Sequence, residues 1–174
     1  LNKRFIVFEL DVVKDNPILF PVVTIIIMET FINKMRRLQG IRKMILIEEA
    51  WKAIAKEGMA SYIKYLFKTV RKFYGEAVVV TQEVDDIISS PVVKETIINN
   101  SDCKILLDQR KYQNKFDQIQ NLLGLTDKER SQILSINLAN AANRLYKEVW
   151  IGLGGTQSAV YATEVSTEEY LVRP

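Results

Sequence analysis

Two adjacent carboxylates, Glu48 and Glu49, directly follow an apolar run in the segment KMILIEEAW, residues 43–51. An apolar stretch that ends in acids reads as a buried strand delivering them to its C-terminal edge, where ligands of open α/β sheets bind. Magnesium takes hard oxygen ligands and keeps several waters, so one carboxylate there can hold a metal-bound water while the next orients an attacking water. That is the chemistry of nucleotide hydrolysis. Two acids also suit the first turn of a following helix, where negative charge is favourable. The strand before them and Trp51 after them favour the metal and water roles.

Gln82, at the end of AVVVTQ, brings an amide that both donates and accepts, suited to a γ-phosphate, to a catalytic water, or simply to a turn. Arg71, next to Lys72, falls at the end of an expected helix, where basic side chains complement the last carbonyls. Its alternative role is to reach the nucleotide of a neighbouring subunit. Arg110 has the same pair of roles, with Asp108 close enough in sequence to be its ion-pair partner. A glycine-rich phosphate loop of the form GxxxxGK[ST] occurs nowhere in the 174 residues, and the seven glycines are scattered. Half of a nucleotide site is therefore legible.

The elements that must position these residues follow from the apolar spacing. Residues 4–10 (RFIVFEL) form a β-rich run, and Asp15-Asn16-Pro17 supplies an N-cap with proline at the first helical position. A helix is predicted from Pro17 to Leu38, closed by Gln39-Gly40. Its most apolar part, residues 18–28, falls short of the roughly 20 residues a membrane span requires and is expected to be a buried helix. Residues 44–47 form the next strand. Ala55, Met59, Ile63, Leu66 and Val70 then share one helical face, Gly75 is expected to end that helix, and residues 77–81 form a third strand.

Ser90-Pro91 starts a short helix, and KILLD (residues 104–108) is a fourth strand. This alternation predicts an α/β fold with a parallel sheet. Beyond it, Tyr112, Phe116, Ile119 and Leu123 lie on one helical face that Gly124 caps. Thr126 with Glu129 fits a capping box. Two β-type runs, 145–153 and 159–165, are joined by Gly154-Gly155 as a hairpin. No linker or repeat divides the chain, so residues 1–174 are expected to be one domain.

Composition excludes more than it assigns. Hydrophobic residues make up 48% and charged ones 26%, as in an ordinary globular domain, and 24 basic against 21 acidic side chains leave a net charge of +3. That excess is too slight to imply nucleic-acid binding, although a local basic patch is compatible with it. With no histidine and the single Cys103, neither a Cys/His zinc site nor a His-based triad can be built. The chain shows no secretory signal and begins with Leu, from which we expect it to be cut from a longer polypeptide.

The segments ILIEEAW, KTVRKFYGEAVVVTQEVDDI and SDCKILLDQ occur in that order at characteristic distances. Together they resemble the C-terminal ATPase domain of conjugative-transfer ATPases, the TraG-like proteins of conjugative transposons, which belong with the large ATPases of type IV secretion systems. The resemblance spans residues 5–170, nearly the whole chain, and the acid-acid-Ala-Trp motif followed by Thr-Gln is its most specific part. In that family the acidic motif is the Walker B element, usually Asp-Glu-Ala-Trp. The resemblance thus implies a metal-side position for Glu48 and a catalytic one for Glu49, with ATP and magnesium as cofactors. Glu48 stands where the family has Asp, and its extra methylene bears on the placement of the metal-bound water. Gln82 matches the family's sensor glutamine, and Arg71 falls in its Arg-Lys segment.

The resemblance further implies a RecA-like P-loop NTPase fold, mostly parallel sheet flanked by helices with a C-terminal hairpin, truncated at the N-terminus. It implies a homo-hexamer at the cytoplasmic face of the bacterial inner membrane, associated with the membrane indirectly. There it would work with other type IV secretion or conjugation components to drive pilus assembly or DNA transfer. The family's phosphate loop precedes the first strand seen here, so the 174 residues alone are expected to be inactive. Two alternatives stay open: a non-catalytic docking module of a secretion assembly, and a DNA-translocating RecA-like pump.

Overall fold

The computed structural model describes residues 3–48, 57–82, 93–138, 146–155 and 157–171. The chain forms two compact units, Leu1–Asn100 and Ser101–Pro174.

In the first unit, helix α1 (Leu19–Arg37) leads through a turn at Gly40, whose φ is 70°, into strand β1 (Lys43–Glu48). Helix α2 (Glu57–Thr69) and a 3-10 turn (Val70–Phe73) then return the chain to strand β2 (Gly75–Val80), and a π-helical turn follows at Val93–Ile98. A strand–helix–strand return of this kind makes the strands parallel. β1 and β2 pair in that sense, with Lys43 opposite Gly75 and Glu48 opposite Val80. Ile45, Ile47, Ala77 and Val79 share one face of the pair and pack on a core of Met28, Met35, Ile63, Leu66, Phe67, Val70 and Ile97. Ile63, Leu66 and Val70 sit on the apolar face read from the sequence.

Three expectations are corrected here. Residues 4–10 form no strand; Phe5 and Val7 are 84% and 70% exposed. Their β-type composition matters only where a neighbouring strand accepts their hydrogen bonds, and among the described residues none pairs with them. The apolar segment 18–28 is helical from Leu19 but only partly buried, since α1 packs through Met28, Ile32 and Met35 with Ile25 and Phe31 beside them and leaves Val22 and Ile26, like Ile18 ahead of it, exposed. Its start is set by Asn16, whose side-chain oxygen accepts the N–H of Ile18 at 3.0 Å and of Leu19 at 2.9 Å. Finally, the left-handed residue that ends the second helical segment is Tyr74, with φ 55°, whereas Gly75 already belongs to β2. Gly75 is small for a packing reason, because a Cβ there would lie 2.5 Å from Val70 Cγ2.

In the second unit, strand β3 (Cys103–Leu106) precedes a 3-10 turn (Arg110–Lys115), helices α3 (Phe116–Leu123) and α4 (Asp127–Leu134), strands β4 (Tyr146–Leu153) and β5 (Gln157–Glu164), and a short helix α5 (Thr167–Leu171). The sheet is three-stranded, ordered β3-β4-β5, with both pairings antiparallel. The hairpin turn carries positive φ at Gly154 and Gly155, as the twist of a tight connection demands. Gly124 caps α3 with φ 66°, and Thr126 and Glu129 form the expected capping box on α4. Phe116, Ile119, Ile133, Ile136 and Trp150 are buried, and the Trp150 indole N–H donates to Gln132 at 3.2 Å. Parallel strands flanked by helices and a separate antiparallel hairpin sheet make the fold mixed α/β.

Candidate functional site

β1 carries the continuous apolar run Met44–Ile47, which turns Ile45 and Ile47 to the core and leaves Met44 and Leu46 exposed, and the Glu48 carboxylate emerges, exposed, at the C-terminal edge of the parallel pair. Its register partner is Val80, the last residue of β2, after which the chain leaves the strand through Thr81 into a bend at Gln82. Gln82 is exposed and lies two residues past that partner. The parallel sheet therefore brings Glu48 and Gln82 to one edge, the edge at which open α/β sheets bind ligands. Glu49 lies outside the described residues, as does the start of the helix that follows it.

Arg71 is not at this edge. It sits in the 3-10 turn ahead of β2, which begins opposite Lys43, and five further residues of β1 separate that level from Glu48, about 16 Å of strand. It belongs to the N-terminal edge, as do Lys43, whose ammonium donates to the Met35 carbonyl at 3.1 Å, and the Lys43 amide, which donates to Tyr74 at 3.1 Å. Arg71 and Glu48 thus face opposite ends of the same two strands.

Arg110, in the second unit, is committed to Asp108. Its Nε donates to both carboxylate oxygens, at 2.9 Å and 2.8 Å, and its Nη2 closes a further contact. The Arg110 guanidinium holds the Asp108 carboxyl below the usual carboxylate range, helped by the Arg110 backbone N–H. This is a local ion pair at a strand end. Glu9 and Asp11, beyond the β-rich run 4–10, flank no strand; the Asp11 N–H donates to Glu9 at 3.2 Å and the Asp11 carboxylate pairs with Lys14 at 3.0 Å.

A polar lock that the sequence did not reveal joins Asn137 and Glu148. The Asn137 N–H donates to the Glu148 carboxylate at 2.7 Å, and the Glu148 N–H returns a bond to the Asn137 side chain at 3.0 Å. Its only local signal is the left-handed φ of 59° at Asn137, a conformation that asparagine tolerates, and the partner lies eleven positions away.

The Glu48 carboxylate is a hard oxygen ligand of the kind that magnesium takes. Among the described residues no three His, Cys, Asp or Glu side chains cluster to hold an ion, whereas magnesium is commonly held by one or two carboxylates, with waters and phosphate oxygens completing its shell. Glu48 provides one such carboxylate. Among the described residues no helix is long and apolar enough to cross a membrane.

Comparison with known proteins places this arrangement. The TraG P-loop domain family matches residues 1–173 and so runs across both compact units. Among solved structures, VirB4 of Thermoanaerobacter pseudethanolicus is similar in fold, with a TM-score of 0.65 and 21% identity over 97% of this chain. The chain spans 44% of the length of that structure. No curated protein matches the chain. With the family match covering nearly every residue, this chain belongs to the TraG P-loop domain family.

Proposed function

We propose that the chain is the C-terminal part of a single RecA-like ATPase domain, in a protein that hydrolyses ATP to drive pilus assembly or DNA transfer in a type IV secretion or conjugation system. The observation that carries this is the shared edge of Glu48 and Gln82, two residues of complementary chemistry, one ending β1 and the other two residues past the end of the parallel strand β2. Glu48 supplies the carboxylate that holds magnesium, and the ion, when bound, lowers the charge cost at the phosphates. Glu49, next in sequence, accepts a proton from the attacking water at its carboxylate. Gln82 orients that water through its amide, which can donate to one oxygen and accept from another. The phosphate-gripping loop is not among the 174 residues, so these side chains serve the hydrolysis side of the site only. Any contribution from Arg71 then comes from a neighbouring copy, as in a homo-hexamer working beside other secretion components at the cytoplasmic face of the inner membrane.

The test is ATP turnover by the full-length parent carrying Glu49→Gln. Loss of turnover with retained nucleotide binding is expected, while unchanged turnover would favour a docking module with a merely structural acidic pair. The 174-residue chain by itself should not turn over ATP, and turnover comparable to that of the parent would overturn the division of the site.

A further inference from the structure

The antiparallel sheet of the second unit ends on two unequal strands. β3 offers four residues at one edge, whereas β5 offers the eight residues Gln157–Glu164 at the other. β5 pairs with β4 residue for residue, from Gln157 opposite Leu153 to Glu164 opposite Tyr146, and no bulge interrupts the run. Backbone groups of a strand point alternately to its two sides, so those of β5 that do not bond β4 are directed outward. Among the described residues no strand takes them up.

Sheets usually blunt such an edge with lysine, proline, a bulge or short length, because an open edge pairs with an extended chain that meets it. β5 has none of these devices. From Gln157 to Thr163 the sequence QSAVYAT contains neither charge nor proline. One face of the strand is fixed inward, with Val160 opposite the buried Trp150 and the Ser158 hydroxyl donating to Gln132 at 3.4 Å. On the other face Tyr161 is 51% exposed, and the residue before it on that face is the small Ala159.

Charge selects what can lie there. Residues 157–169 hold Glu164, Glu168 and Glu169 and no base, all at the end of β5 and the start of α5. Glu169 is engaged with Ser166, whose N–H donates to it at 2.9 Å, while Glu164 and Glu168 are exposed. Lys147 belongs to β4, on the side away from the open edge. A second copy of β5 would bring no base to these acids, whereas an extended segment with a basic end would.

We propose that the outer edge of β5 is a strand-addition site for an extended segment of a partner protein. That segment is uncharged and rich in β-branched residues, runs antiparallel to β5, and carries lysine or arginine at its N-terminal end, where it meets Glu164 and Glu168. Backbone hydrogen bonds hold it, and a β-branched side chain beside Tyr161 together with the basic end fixes its register and direction. The site lies within the second unit and stands whether or not Glu48 serves a nucleotide.

The test is binding of a fluorescent peptide of alternating valine and threonine with two lysines at its N-terminal end, with amide hydrogen exchange of the chain followed alongside. Binding is expected, with new protection confined to residues 157–164 and affinity that falls as salt is raised. Replacing the two lysines by glutamates, or using the chain with Glu164→Lys and Glu168→Lys, should weaken binding by up to about fivefold for each exposed ion pair lost. Both glutamates are exposed, so circular dichroism of that variant is expected to show an unchanged fold. Two further peptides, N-methylated on one or the other alternate set of amides, should behave differently: one loses binding and one keeps it, because only one set of N–H groups in an added strand faces β5. No binding, protection elsewhere in the chain, equal affinity of the lysine and glutamate peptides, or equal behaviour of the two methylated peptides overturns the proposal. So does protection of residues 157–164 that grows with protein concentration in the absence of peptide, which would make a second copy the occupant.

Discussion

Glu48 closes β1 in register with Val80, the last residue of β2, and Gln82 follows two residues later, so an acid and an amide lie at the same edge of a parallel pair. Neither residue alone distinguishes a site from a helix start or a turn. Their shared edge follows from the pairing, because parallel strands deliver their C-terminal ends to the same side.

In the full-length parent, Glu49→Gln is expected to lower kcat by about 10²- to 10⁴-fold, the usual cost of removing a positioned base. Glu48→Asp should instead leave the chemistry in place and change the magnesium concentration needed for half-maximal turnover. A magnesium titration of both variants separates the two roles. Equal loss of kcat in both, with no change in metal dependence, would contradict the assignment.

Arg71 lies a full strand length from Glu48, so any catalytic role it has can only be exercised in trans. Arg71→Ala subunits and Glu49→Gln subunits should each be inactive alone, with a loss of about 10³-fold or more for a transition-state arginine. Mixed in one assembly they should regain turnover at the interfaces that pair an intact Arg71 with an intact Glu49. No recovery on mixing would confine Arg71 to its place at the end of the second helical segment.

Glu129 titrates against the fold in a defined direction. The Thr126 backbone N–H, donating at 2.8 Å, and the Thr126 hydroxyl hold its carboxyl below the ordinary value of 4.5. A lowered folded pKa means that the stabilisation is fully present above the unfolded carboxylate range and is lost as pH falls through the folded value. Thermal melts between neutral pH and pH 3 should therefore show a steeper acid loss for wild type than for Glu129→Gln. Thr126→Ala, which removes half of the capping box, should cost about 1 kcal/mol at neutral pH.

Tyr74 and Gly75 make a contrasting pair. Tyr74→Gly places glycine at φ 55° in an exposed position and should stabilise by about 0.5–1 kcal/mol, since the left-handed conformation costs an L side chain more than glycine loses in entropy. Gly75→Ala should destabilise by about 1–3 kcal/mol, because its Cβ would meet Val70 Cγ2 at 2.5 Å and the Val70 carbonyl at 3.1 Å. Melting temperatures of the two variants should move in opposite directions.

What the sequence by itself determined is what neighbours a few positions apart control. The capping box of Thr126 and Glu129, the Gly124 cap, the hairpin at Gly154 and Gly155, the buried face of Ile63, Leu66 and Val70, and the strand ending in Glu48 are all local patterns, and all were legible. Periodicity says which residues share a face, not whether anything covers that face. Residues 4–10 thus had the composition of a strand without a partner, and the apolar segment 18–28 kept Ile18, Val22 and Ile26 in solvent. Nor does a short apolar run encode the direction of its neighbour, so β3 read as one more parallel strand and instead pairs antiparallel with β4. Only the tertiary structure put Gln82 at the same edge as Glu48, sent Arg71 to the far edge and left β5 at the outside of its sheet, because strand direction and helix packing join residues that lie tens of positions apart.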